Sequence, residues 1–410
     1  MKSSRSEEPR EEIWLAKGKL GPIRDTENKI EVRPLTIFIG KQGTGKSLLS
    51  QLLYFFHNLP YLVRYYDTLA QVRNGEILEV QELVRRILDD LRSRDRAFGV
   101  FADNSATIKY RVDGKTLGFN LQSNNRRAYV HKELTETIAA IRTGNPISPP
   151  GIALFVPAER IIYSHVRGPS AWEFLAVPRP LTLFADAMEL AGDTFNRNWL
   201  EGQPDTLEGR RIYQWIWKYL GGEIVRSGDR WKWKFSAERE QKLIDIDMAS
   251  SGQRANWPLL VLSEALFSWR QEGKIHQPFY LHIEEPEIHL HPAAQVVIVK
   301  LLAYLVNQGF RVVVTTHSST VLYALNNLLV ASDLGEYQEP NLPNPAVRLA
   351  RGSVGAYLFQ ADGSIRSLID EETRLISEAE MVEVDEVLDI QLNRLEFLRA
   401  NPPEDMDVEM

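Results

Sequence analysis

Four short stretches carry residue types at spacings that chemistry can use. The first is GKQGTGKS, Gly40 to Ser47. Gly40, Gly43 and Gly45 let the backbone approach a phosphate chain closely, and the N–H groups from Gln42 through Thr44 point at its oxygens. Lys46 reaches the β- and γ-phosphates, and the Ser47 hydroxyl ligates magnesium. The second is HIEEPE, in which Glu284 and Glu285 end an apolar run that starts at Phe279. A carboxylate at a strand end beside a phosphate loop holds Mg2+, and its neighbour orients an attacking water, so Glu284 takes the first role and Glu285 the second. The third is TTHSS, where His317 ends the run FRVVV and can donate a hydrogen bond to a γ-phosphate. The fourth is ASSGQ, Ala249 to Gln253, ordinary loop material by itself and informative only through its position ahead of the glutamate strand. A metal site built from His282, Glu284, Glu285, His289 and His291 is the rival reading. It lacks the one-face helical spacing of HExxH, so those histidines read as loop hydrogen bonds or packing.

The elements that must position these groups follow from periodicity. Leu35 to Ile39 is an apolar strand, and Leu48, Leu49, Leu52, Leu53 and Phe56 share one face of the helix after the loop. Ile13 to Leu20 and Lys29 to Val32 read as strands joined by the Gly21-Pro22 turn. Leu78, Leu83, Val84, Ile87, Leu88 and Leu91 recur at helical spacing, and Ile108 to Leu121 alternates around Asp113-Gly114 as a hairpin. Ile152 to Val156 is a short buried strand, and Leu181 to Trp269 is mainly helical in pattern apart from an extended Arg230 to Phe235. The chain past Leu329 holds a hairpin around Asp362-Gly363 and an acidic helix.

With 410 residues, 44% of them hydrophobic, the chain buries a large core in two or three lobes. A net charge of −7 gives no global basic field for nucleic acid or anionic membrane, although a local basic patch would still permit DNA contact. The absence of cysteine excludes disulfides, thiolate metal sites and a cysteine nucleophile. No run is long enough to span a bilayer and the polar N-terminus is no signal peptide, so a cytoplasmic location is expected. Trp215, Trp217, Trp231 and Trp233 read as core rather than as a platform for bases.

Taken together, these stretches resemble the ABC-type ATPase head of the SMC, RecF and OLD group, and more narrowly the compact AAA-type ATPases of bacterial defence systems, such as the ATPase subunit of PARIS. The resemblance covers roughly Ile13 to Val330. It makes GKQGTGKS the Walker A motif, ASSGQ the signature, HIEEPE the Walker B motif, EIHLHP the D-loop and TTHSS the H-loop. Ser251 stands where transporters have glycine, Ala249 replaces a leucine, and Lys41-Gln42 replaces the Pro-Asn of many relatives. Gln122 and Glu159, the latter in VPAER, are both candidates for the Q-loop. No heptad repeat supports a coiled-coil arm.

What the resemblance implies is an α/β protein: a P-loop core sheet with an antiparallel β subdomain and a helical lobe, about 170–270, that carries the signature. Residues 1–12 are expected to be disordered, 13–335 to form the ATPase domain, and 336–410 to form a hairpin and acidic tail. ATP and Mg2+ would bind at composite sites in a homodimer or larger assembly. There Lys46, Ser47, Glu284, Glu285 and His317 of one subunit face Ser250, Ser251, Gly252 and Gln253 of another. The implied role is ATP hydrolysis that controls a separate effector, a nuclease or toxin, in anti-phage defence. A RecF-like repair ATPase stimulated by DNA, and a scaffold that binds nucleotide but scarcely hydrolyses it, are the alternatives. Turnover measured against nucleotide-dependent assembly separates the last from an enzyme.

Overall fold

The computed structural model describes residues 11–24, 26–75, 77–94, 106–121, 129–130, 132–144, 152–165, 179–201, 214, 216–227, 230–235, 242–275 and 278–377. In chain order, β1 (Glu11–Lys17) and β2 (Ile30–Glu31) lead into β3 (Leu35–Gly40) and α1 (Lys46–His57). Then come α2 (Leu59–Asn74), α3 (Val80–Arg94), the hairpin of β4 (Ala106–Val112) and β5 (Lys115–Leu121), β6 (Tyr129–Val130) and α4 (Lys132–Arg142). The middle of the chain supplies β7 (Ile152–Val156), α5 (Arg179–Glu201), β8 (Gly222–Ser227), β9 (Arg230–Phe235) and β10 (Leu243–Asp245). After these, α6 (Ser251–Gln271), β11 (Phe279–Glu284), α7 (Pro292–Asn307), β12 (Phe310–Thr316) and α8 (Ser319–Ala331) alternate. The last described strands are β13 (Val354–Phe359) and β14 (Ile365–Ser367).

The central sheet has the order β14-β13-β3-β12-β11-β7, with all but β14 parallel. Every residue of β11 is buried, which is what a continuous apolar run means when helices cover both faces of a parallel sheet. Because β12 lies between β3 and β11, its carboxyl end falls between the phosphate loop and the paired glutamates. The register is tight: Thr316 lies opposite Ile39, and Thr315 opposite Glu284. The second sheet, β2-β1-β4-β5-β6, is antiparallel, and Asp113 and Gly114 turn its hairpin with positive φ at both residues. Helix α1 lies between the two sheets, with Phe56 stacked on Tyr110 at 4.7 Å between centroids. The fold class is therefore the expected one, an α/β P-loop core sheet with an antiparallel β subdomain.

Four expectations need correction. Glu11 and Glu12, assigned to a disordered N-terminus, are in β1. Glu11 is buried because its carboxylate accepts from His57 Nε2, from the Tyr110 hydroxyl at 2.9 Å and from the Tyr280 hydroxyl at 3.2 Å. The signature lobe, expected to be helical apart from the extended Arg230 to Phe235, has that strand as β9 but also holds β8 and β10, which pair with it in a three-stranded antiparallel sheet. Those two strands were hidden by the long helical runs on either side. The hairpin after 336 is no appendage, because β13 pairs in parallel with β3, from Val354 opposite Leu35 to Phe359 opposite Gly40. Trp231, expected with the other tryptophans in the core, is only partly buried, packed 4.9 Å from Trp257. Trp217 and Trp233 are buried as expected. Gln122, Trp215 and the acidic stretch from 378 lie outside the described residues. Among the described residues, no helix is long and apolar enough to cross a membrane.

Candidate functional site

The loop between β3 and α1 has a shape that only its glycines allow. Gly45 caps α1 at φ 98°, and a Cβ there would meet Ile23 Cγ1 at 2.7 Å. A Cβ on Gly40 would lie 2.3 Å from the Phe359 carbonyl of β13. Thr44 Oγ1 donates to the Lys41 carbonyl at 2.8 Å and is buried. Lys46 Nζ donates to the carbonyls of Gly40 (2.9 Å) and Lys41 (2.8 Å). Its ammonium is buried, which brings its pKa down to about 8, although Glu285 and Glu287 pull the other way. A buried cation cradled only by loop carbonyls is a ready partner for phosphate oxygens. Lys41, Gln42, Gly43 and Ser47 face solvent.

Across β12 stand the carboxylates. Glu284 is 6% exposed. Burial drives its carboxyl up to about 7; Glu159 and Glu285 add to this, while the Ser47 hydroxyl and the Ala158 N–H oppose it. Its Oε1, together with Oε2 of Glu287, is buried without a hydrogen-bond partner. Such oxygens are costly unless something positive meets them, and a divalent cation supplies that partner. The Ser47 hydroxyl and the Glu284 carboxylate thus fit Mg2+, which would neutralise phosphate charge there. Glu285 sits in the left-handed region at φ 44°, with its N–H donated to the Thr315 carbonyl at 2.9 Å. Its Oε1 lies 3.4 Å from His317 Nε2, and both side chains are about one-third exposed. The turn therefore buries one glutamate and presents the other, paired with the histidine, to the open side of the sheet.

Two residues that sequence reasoning passed over are built into the same turn. Glu287 is buried and accepts from Thr316 Oγ1 at 2.5 Å and from the His317 N–H at 2.9 Å, which fixes the end of β12. Arg160, in the 3-10 helix Ala158–Ser164 after β7, is completely buried. Nε donates to the Ala255 carbonyl at 2.7 Å, Nη1 to Glu284 (2.7 Å) and Pro157 (3.1 Å), and Nη2 to Glu285 (2.9 Å). Burial lowers its pKa to about 10, against the pull of Glu287, Glu285, Glu284 and Glu159. VPAER held the signal, but only beside Glu159, which is exposed.

The signature residues stand apart from this cluster. Ser250 is the N-cap of α6 in a capping box: its hydroxyl accepts from the Gln253 N–H at 3.3 Å, and its own N–H donates to Gln253 Oε1 at 3.0 Å. Gln253 Nε2 also donates to the Leu220 carbonyl at 2.8 Å. Gly252 lies where a Cβ would be 2.7 Å from the His289 carbonyl, so the loop after β11 packs onto the start of α6. Ser250 and Ser251 are exposed, beside Met248 at 73%. The bonds that hold Ser250, Gly252 and Gln253 run within the α6 cap and to Leu220, none of them to the phosphate loop.

Of the histidines in the rival metal reading, His291 caps α7 by accepting from the Ala293 N–H at 3.3 Å. His282 belongs to a buried chain under α1: Ser50 Oγ is 3.3 Å from its Nδ1, and its Nε2 shares a hydrogen bond with His57 Nδ1 at 2.9 Å. His57 passes the chain on to Glu11. Burial first, and His57 second, hold His282 well below the usual histidine range. A single donor direction, from Ser50 through both rings to the carboxylate, satisfies every nitrogen in that chain.

Residues 191–322 match a family model described as an AAA ATPase domain, a span that takes in Ser250–Gln253, Glu284, Glu285 and His317 and leaves out the phosphate loop. The matched span lies within a fold whose parallel sheet brings a glycine-rich loop and two adjacent carboxylates to one end. Similar solved structures include the SMC head domain from Thermotoga maritima, at 12% identity and a TM-score of 0.39, covering 87% of this chain and 98% of that one. An SMC head with an extended coiled coil bound to the C-terminal domain of ScpA, derived from Pyrococcus furiosus, overlaps at 13% identity and 0.39, over 93% and 100% of the two chains. An SMC head bound to the C-winged helix domain of ScpA gives 13% and 0.39, over 88% and 96%. No curated protein matches the chain.

Proposed function

We propose that the chain hydrolyses ATP with Mg2+ at composite sites between copies of itself, and that this cycle controls a separate effector in defence against phage or foreign DNA. In each site Lys46 holds the β- and γ-phosphates, Ser47 and Glu284 hold the metal, Glu285 orients the attacking water, and His317 holds Glu285 and faces the γ-phosphate. The N–H groups at the start of α6, from Ser250 to Gln253, approach the same nucleotide from another subunit. ATP then closes the interface and hydrolysis opens it. The ATPase unit extends through β13, a strand of the sheet that bears the loop. Such a cycle needs a supply of ATP, as the cytoplasm provides.

The observation that carries this reading is that Glu285 and His317 meet at 3.4 Å on the phosphate-loop side, while Ser250 and Ser251 are exposed at a helix start bonded elsewhere. One chain thus offers two half-sites. Ser250→Arg puts a bulky cation at the signature, so hydrolysis is expected to fail although the chain still binds ATP. Mixing Ser250→Arg with Glu285→Gln restores interfaces that pair an intact signature with an intact glutamate, and partial activity returns. No recovery in verified mixed assemblies would mean that the site is complete within one chain.

A further inference from the structure

The signature helix carries Pro258 in its interior. Proline has no N–H, so the Arg254 carbonyl one turn earlier loses its helical donor, and the ring opens that turn. The Arg254 carbonyl is taken instead by Ser164 Oγ at 3.1 Å, and Ser164 in turn accepts from Trp257 Nε1 at 3.0 Å. The next carbonyl, Ala255, is taken by Arg160 Nε. The Ala158–Ser164 segment is therefore clamped to α6 one turn beyond the capping box of Ser250. The same Arg160 guanidinium grips the carbonyls of Glu284 and Glu285 with its other two nitrogens. A planar, rigid fork with donors on three nitrogens transmits displacement between those groups in a way that a flexible side chain does not.

In the composite-site reading, on which this inference rests, the two ends of that bridge serve different nucleotides. The start of α6 meets ATP held by a neighbour, and Glu285 acts on ATP held by its own chain. We propose that Arg160 is a positioning residue that couples the two sites: engagement of the signature helix at one interface sets the Glu284-Glu285 turn at the other. The positive φ of Glu285 gives the coupling something to act on, because a turn in the left-handed region keeps its shape only while its surroundings hold it. Arg160 bonds to loop and strand carbonyls and to α6, and none of these bonds reaches Gly40 to Ser47.

The test compares wild type, Arg160→Lys and Arg160→Met in steady-state ATP hydrolysis, with melting curves and the Ser250→Arg plus Glu285→Gln mixture run alongside. Lysine keeps the charge and much of the stem but cannot span three carbonyl directions; methionine fills the space with no donor. The expected result is a folded Arg160→Lys with KM for ATP within about threefold of wild type and kcat down about tenfold or more. Its Hill coefficient for ATP falls to 1 from a wild-type value above 1. A purely structural arginine would lower the melting temperature and the active fraction but leave the Hill coefficient of the remaining enzyme in place. Wild-type kcat and cooperativity in Arg160→Lys would overturn the coupling, as would a wild-type Hill coefficient of 1. Failure of both variants to fold would overturn it in favour of a role in folding alone. In the mixture the intact Glu285 belongs to the chain whose signature is blocked, so the coupling predicts recovery only to the Arg160→Lys level. Full wild-type activity per intact site would overturn the coupling and keep the composite site, whereas ATP-dependent assembly of Glu285→Gln that survives the added Ser250→Arg would overturn the composite site itself.

Discussion

The adjacent glutamates differ in what surrounds them, and the roles proposed for them follow that difference. Glu284 is 6% exposed with an unpartnered oxygen turned inward, whereas the Glu285 side chain is 33% exposed and paired with His317. A group that orients water and takes its proton must reach solvent and a base-like partner; a metal ligand need not. Glu285→Gln is therefore expected to bind ATP normally and to lose turnover by about a hundredfold or more, which is the usual contribution of a general base. It should also accumulate as an ATP-bound assembly in light scattering. Lys46→Ala separates from it by losing affinity for nucleotide itself, since Lys46 is the buried cation of the loop, whereas Lys41 is exposed. A Glu285→Gln enzyme turning over at wild-type rate would remove that carboxylate from the chemistry.

The elements show where a linear sequence stops being readable. Glu284, Glu285 and His317 were legible because each ends an apolar run, and a parallel sheet brings the ends of such runs to one edge. Arg160 and Glu287 were not, because their importance arises only where β7, β11, β12 and α6 converge, and no period in the sequence marks a convergence. Glu11 was lost for the same reason: a glutamate in a charged N-terminus looks solvated until β1 is placed against α1 and β11. Burial would raise its pKa, but His57 and the Tyr110 hydroxyl hold it below the ordinary carboxylate value of 4.5. A carboxylate lowered by folding stabilises fully above its unfolded pKa and loses that contribution as pH falls through the folded one. Glu11→Gln should cost on the order of 2–3 kcal/mol at pH 7, the scale of a charged hydrogen bond. The difference in urea midpoint between wild type and variant should shrink as the pH is taken below 4.5. An equal gap at pH 7 and pH 3 would mean that the cost lies in packing rather than in charge.

At the scale of the whole molecule, the question is whether this chain does more than the ATP hydrolysis proposed for it. Magnesium-dependent cleavage of nucleic acid needs several carboxylates converging on one or two metals. Among the described residues no group of three or more histidines, aspartates or glutamates is arranged to hold a metal, and the proposed nucleotide site uses Glu284 and Glu285. The acidic stretch from 378 lies outside the described residues, and its sequence shows no second cluster of carboxylates at a metal-binding spacing, so the expectation stands. The net charge of −7 also supplies no field to draw DNA in. The purified chain is thus expected to hydrolyse ATP but to leave supercoiled plasmid, single-stranded DNA and tRNA intact with magnesium or manganese. Toxicity in cells should need a second protein. Cleavage that survives rigorous purification and disappears when Glu378, Glu380 and Glu383 are replaced would put a nuclease centre in that stretch and make the effector part of this chain.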